Sequence, residues 1–139
     1  MVRFTRSAQI EMMGIAEKGY PYEICGLMFG KSGEIREVSE VFECGNLNKL
    51  KPETRYDMDP HDYMKGEALA RKKGLDVIGI FHSHPDHPDK ASETDRQAAW
   101  PGFSYVIMSI QEGKFASMKS WVLDGHEQFQ EEPVAPSLQ

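Results

Sequence analysis

Fifteen residues, 81-FHSHPDHPDKASETD-95, hold four acidic side chains and three of the chain's five histidines. They follow directly on an apolar run, 77-VIGI-80. His82 and His84 are two apart on a predicted strand, so their side chains share one face. Their imidazoles converge just past the strand's end, where Pro85 releases the chain from the ladder. Two histidines make half a zinc site. A catalytic site needs a third protein ligand and an open position for water.

Three residue sets could complete it. His87 would make a three-histidine site. The fuller spacing His82-x-His84-x-Asp86-His87 has the letters of metallo-β-lactamase-like hydrolases. Asp95, eleven residues beyond His84, would instead bring a ligand from the next helix, so that the fold itself closes the site. The metallo-β-lactamase spacing belongs to a larger sandwich that needs further downstream ligands, and after His87 only His126 remains in these 139 residues. A cupin wants a glutamate about four residues after the second histidine, where this chain has Pro88. Blandly, the segment is a strand end followed by a solvated acidic loop, and Ser92-x-x-Asp95 alone is a helix capping box.

The elements that must position these residues alternate. Ala8, Met12, Ile15 and Ala16 recur at helical spacing over Thr5 to Lys18, and Gly19 and Pro21 stop that helix. Segments 22-YEICGLMFG-30 and 35-IREVSEVFE-43 read as strands about the turn 31-KSG-33. Residues 44–56 are polar and weakly periodic, a loop entering a short strand. Asp59-Pro60-x-Asp62 is a helix start, and the helix runs to about Lys73, weakened by Gly66. Then 76-DVIGIFHSH-84 is a buried strand, Ser92 opens a short helix, and 103-FSYVIMSI-110 with 114-KFASMKSWVL-123 forms a hairpin. Residues 1–130 form one predicted domain, and the remaining end, 131–139, is expected to fray. This order gives an α/β (α+β) fold, a sheet of mixed strand directions flanked by helices.

Two separated motifs in this order resemble the JAMM signature of MPN-type zinc metalloproteases. The first is His82-Ser83-His84-Pro85, six residues, then Ser92-x-x-Asp95. The second is 21-PYEICGLMFG-30, similar to the family's P-x-E-x-C-G-x-L-x-G strand, with Met28 in place of leucine. The resemblance covers roughly residues 2–130 and implies a curved mixed sheet of MPN/cytidine-deaminase-like architecture. It implies one Zn2+ per chain held by His82, His84 and Asp95, with water completing the set. It also implies Glu23 as general base and Ser92 as oxyanion donor. Short connections around 44–56 and 99–103 make the chain similar to compact prokaryotic forms. The implied substrate is a ubiquitin-like or sulfur-carrier protein, cleaved after its Gly-Gly tail. The alternatives are a small-molecule zinc hydrolase using His82, His84 and His87, and an MPN scaffold without chemistry. Trp100, Tyr105 and Trp121 are read as core or groove packing, and Cys25 as a small core residue.

Composition narrows the partners. Apolar content of 40% and charged content of 27% describe a globular chain. A net charge of -6 leaves no basic stripe for nucleic acid and disfavours anionic membrane surfaces. No apolar run approaches the ~20 residues that span a bilayer. With no export signal in the N-terminus, Cys25 and Cys44 are expected to be reduced thiols of a cytoplasmic protein. Nothing in these residues speaks against a homo-oligomer.

Overall fold

A computed structural model describes residues 1–137. Strands β1 (Val2–Phe4), β2 (Cys25–Lys31), β3 (Arg36–Cys44), β4 (Asp76–Pro85), β5 (Ser104–Gln111), β6 (Lys114–Leu123) and β7 (Phe129–Glu132) form one sheet in the order β1-β3-β2-β4-β5-β6-β7. The β1–β3 and β4–β5 pairs are parallel and the others antiparallel, which gives the mixed directions expected from the element order. The sheet curls until its two edges meet. Val2 N–H donates to Pro133 O at 3.1 Å and Val2 O accepts from Ala135 N–H at 2.8 Å.

Helices α1 (Arg6–Gly19) and α2 (Pro60–Lys72) lie on opposite faces of the sheet. Thr5 caps α1 by accepting the Ala8 N–H, and Ala8, Met12 and Ala16 form its buried stripe. That stripe packs with Phe4, Met28, Phe81 and Met108 into one core. On the other face, Ala70 of α2 packs with Leu27, Phe29, Ile80 and Tyr105. Gly66 is what lets α2 approach. A Cβ there would lie 2.6 Å from Leu27 Cδ1 and 2.9 Å from Phe42 Cδ2. The residue that weakens the helix locally is thus the one its packing requires.

Three expectations need correction. The 22–30 strand joins the ladder only at Cys25, so Tyr22, Glu23 and Ile24 precede it. Residues 44–56 enter no strand; a single bridge, Asn46 to Met58, closes that loop. The end expected to fray, 131–139, holds the last two residues of β7, and Val134 bridges to Val2. Glu132 anchors it, accepting from the Ser104 and Ser120 hydroxyls at 2.6 and 2.7 Å. Residues 138 and 139 lie outside the described residues. Among the described residues no helix is long and apolar enough to cross a membrane.

Candidate metal centre

Strand alternation places Ile80, His82 and His84 on the face that α2 covers, and Phe81 and Ser83 on the other. Ser83 has a local task that its position between two histidines conceals. Its hydroxyl accepts the Ile24 N–H at 3.0 Å, and its own N–H donates to Ile24 O at 3.1 Å. These two bonds join the segment before β2 to the end of β4, which brings Glu23 beside the histidines.

The third group comes from α3 (Glu93–Ala98). Ser92 caps this helix by accepting the Asp95 N–H at 3.0 Å, and Asp95 Oδ2 accepts the Ser92 N–H at 2.9 Å. Oδ2 of Asp95 also lies 3.2 Å from His84 Nε2, while its Oδ1 lies 3.2 Å from His82 Nε2. The two Nε2 atoms are 3.2 Å apart. A tetrahedral ion with bonds of ~2.0–2.1 Å separates its ligand atoms by roughly 3.3 Å, so this donor set fits a zinc-sized cation. Among the described residues, His82, His84 and Asp95 are the one group of this kind. His87 is exposed and stands outside it. His84 Nδ1 donates to Pro88 O at 2.7 Å, which turns the other ring nitrogen, Nε2, toward Asp95 and His82.

Burial sets the electrostatics. Burial works to raise the Asp95 carboxyl, but hydrogen bonds from His82 and His84, the charge of His82 and the Ser92 N–H hold it well below the usual carboxylate range. His82 is fully enclosed, and burial lowers its pKa against the pull of Asp95. Burial also opposes the charged form of His84, but Asp95, the Pro88 carbonyl and Glu23 outweigh it and raise its pKa. Glu23 is 4% exposed, and its Oε1 has no hydrogen-bond partner in the protein. Burial pushes its carboxyl up to about 8; His84 opposes the rise, Asp95 adds to it and Arg55 opposes it. A buried, unpartnered carboxyl with a shifted pKa beside a ligand set marks a candidate functional group.

Residues 45–58 supply contacts that residue types and spacing did not announce. The Tyr56 ring lies over His82 with centroids 4.6 Å apart, and the Arg55 guanidinium donates to Thr94 Oγ1 at 2.8 Å. Beyond Tyr56, an apolar groove of about 550 Å3 runs past Met58, Tyr63, Met64, Trp100 and Phe103. Trp100, 69% exposed, stands at its rim, whereas Tyr105 is buried and its hydroxyl accepts the Trp100 N–H at 2.7 Å. Cys25 and Cys44 face each other across β2 and β3 as free thiols, and burial pushes both well above the usual thiol range. They stay protonated at neutral pH and act as core residues.

Residues 5–124 match the family described as prokaryotic homologs of the JAB domain. The chain is 34% identical over 90 residues to a protein named desampylase from Haloferax volcanii, covering 64% of this chain and 63% of that one. It is 35% identical over 88 residues to a probable TtuB-protein conjugate cleaving protease from Thermus thermophilus, covering 63% of this chain and 55% of that one. It thus spans less than two thirds of the length of these relatives. Its fold is similar to the solution structure of protein DSY2949 from Desulfitobacterium hafniense, with a TM-score of 0.87 and 30% identity over 100% of this chain and 94% of that one.

Proposed function

This chain belongs to the family of prokaryotic homologs of the JAB domain, and we propose that it is a zinc-dependent peptidase acting on ubiquitin-like or sulfur-carrier protein conjugates. The bond cleaved is the one after the carrier's C-terminal Gly-Gly. The observation that carries this reading is the juxtaposition of three metal-ligand groups at 3.2 Å with the buried, unpartnered Glu23 carboxyl.

A zinc ion held by His82, His84 and Asp95 would supply Lewis acidity and acidify a water at neutral pH. Glu23, with Oε1 unoccupied by any protein donor, takes the proton of the attacking water. In the metal-free protein a pKa of about 8 keeps Glu23 largely protonated at neutral pH. A cation held by His82, His84 and Asp95 would lower it, so that the carboxylate can take that proton and release it to the departing amine. Water thereby adds across the C–N bond, the hydroxyl going to the glycine carbonyl and the remaining proton to the amine. Ser92 Oγ uses a lone pair on the Asp95 N–H, so its own proton is free to donate to the developing oxyanion. Glu23, His82 and His84 are buried, and this dry surrounding strengthens each of these interactions.

The substrate class draws on the relatives, one named a desampylase and one a protease that cleaves TtuB-protein conjugates. Glycines offer no side chains, so a Gly-Gly tail is recognised by its backbone and its narrowness, and the groove past Tyr56 offers apolar contact to bulkier residues upstream. Other residues and the scaffold reading draw less support. The exposed His87 is outside the ligand set, the two cysteines are protonated core, and the full ligand complement argues against a bare scaffold. The test is intact-mass analysis of a sulfur-carrier protein extended beyond Gly-Gly after incubation with the zinc-loaded protein. Removal of the extension, and its survival when Gly-Gly is replaced by Val-Val, is the expected result. An untouched Gly-Gly carrier overturns the substrate class.

A further inference from the structure

Glu23 lies two residues before the β2 ladder begins, so the sheet does not hold its backbone. The loop of residues 45–58 does. Glu23 N–H donates to Pro52 O at 2.8 Å, and Glu23 O accepts from Asn46 Nδ2 at 3.1 Å. Asn46 is saturated on every side. Its Nδ2 also donates to Arg55 O at 3.1 Å, and its Oδ1 accepts the N–H groups of Asn48 and Asp57 at 2.9 and 3.0 Å. All four hydrogen-bonding positions of the amide are therefore used. Two of its partners, Arg55 and Asp57, flank Tyr56, whose ring lies over His82. Arg55 then reaches Thr94, the neighbour of Asp95.

We propose that Asn46 is a positioning residue for Glu23. Its side-chain amide fixes the carbonyl of the base and, through Arg55 and Asp57, the loop that supplies the other backbone bond to that residue. This rests on the reading of Glu23 as general base. Moving a pinned backbone moves the origin of the side chain it carries, and a displacement of ~1 Å at a reacting group costs on the order of a hundredfold in rate. Asn48 provides an internal control. Its side chain folds the same loop, accepting from Leu50 and Lys51 N–H and donating to Asp57, but bonds neither Glu23 nor Asn46 nor Pro52; only its backbone N–H, which alanine keeps, reaches Asn46.

The experiment compares wild type, Asn46→Ala, Asn46→Asp, Asn48→Ala and Glu23→Gln. Asn46→Asp retains the two acceptor bonds of the amide and loses both donors. Bound zinc, melting temperature, kcat and KM on the extended carrier are measured, together with amide hydrogen exchange at Glu23 and Ser83 by NMR. For both Asn46 variants the expected result is full zinc occupancy, KM within about twofold and kcat lowered ~10–100-fold. Their Glu23 amide exchanges at least about tenfold faster while that of Ser83 keeps its protection, and Asn48→Ala changes none of these. If Asn46→Ala keeps wild-type kcat and Glu23 protection, the positioning role is overturned. Equal losses in Asn48→Ala, or loss of zinc in the Asn46 variants, overturn it too, because the loop then acts through general stability or through the metal ligands. Failure of the underlying reading looks different: Glu23→Gln stays active, whatever the Asn46 variants do.

Discussion

Ser92 and Asp95 close a reciprocal pair of hydrogen bonds in which the same oxygen, Asp95 Oδ2, accepts the Ser92 N–H and stands 3.2 Å from His84 Nε2. Helix capping and, in the proposed zinc site, metal ligation fall to one carboxylate. The short helix α3 is thereby tied to the site it serves: the cap orients the carboxylate before any ion arrives.

The two tasks of Ser92 are separable. Alanine removes both the cap and the hydroxyl donor, whereas glycine is itself a tolerable cap. Ser92→Ala is expected to lose about 1 kcal/mol of stability and Ser92→Gly only a few tenths. Both should lose on the order of a hundredfold in kcat, because both lack the oxyanion donor. Thermal melts and steady-state kinetics on the pair check this; a Ser92→Gly protein with wild-type kcat would leave Ser92 as a cap alone.

Glu23 makes the metal-free protein sensitive to alkali. Its carboxyl rises from an ordinary 4.5 to about 8 on folding, so between these values the folded chain holds a proton that the unfolded chain has lost. The corresponding stability is complete below the lower value and disappears as pH rises through the upper one. At ~1.4 kcal/mol per unit, the melting temperature of the metal-free wild type should fall by on the order of ten degrees between about pH 5 and about pH 8, relative to Glu23→Gln. The histidines and Asp95 are present in both proteins, so the difference between the two melting curves reports Glu23 together with the part of the His84 shift that Glu23 causes. Parallel curves would show that Glu23 ionises freely in the fold.

The apolar groove is expected to contribute binding rather than chemistry. Trp100 and Met64 are 69% and 65% exposed at its rim. Truncating an exposed aromatic anchor of a binding site typically costs more than ~1 kcal/mol, so Trp100→Ala should raise KM for a carrier protein roughly tenfold. Its kcat and its cleavage of a short Gly-Gly peptide should stay near wild type. A fall in kcat with unchanged KM would place Trp100 in the chemistry instead.

Much of this site is legible in the residues themselves because its chemistry is local. His82 and His84 share a strand face by alternation, and Ser92-x-x-Asp95 is short enough for one helical turn to fix it. The bland and the chemical readings of that turn compete on paper, yet the same bonds satisfy both. What stays hidden are contacts across long separations. Tyr56 meets His82, and Asn46 meets Glu23, from a polar loop without periodicity. Strands β1 and β7 are also hidden, since Val2–Phe4 and Phe129–Glu132 are too short to show alternation. They exist because the curled sheet brings its two edges together at Val2 and Val134.

The most direct test is zinc stoichiometry and carrier cleavage measured on the same preparations of wild type, Glu23→Gln, Asp95→Ala and His87→Ala. The expected result is one zinc per chain and cleavage in wild type and His87→Ala, zinc without cleavage in Glu23→Gln, and neither in Asp95→Ala. Cleavage by Glu23→Gln at the wild-type rate, or zinc lost with His87 and retained without Asp95, would contradict the assignment.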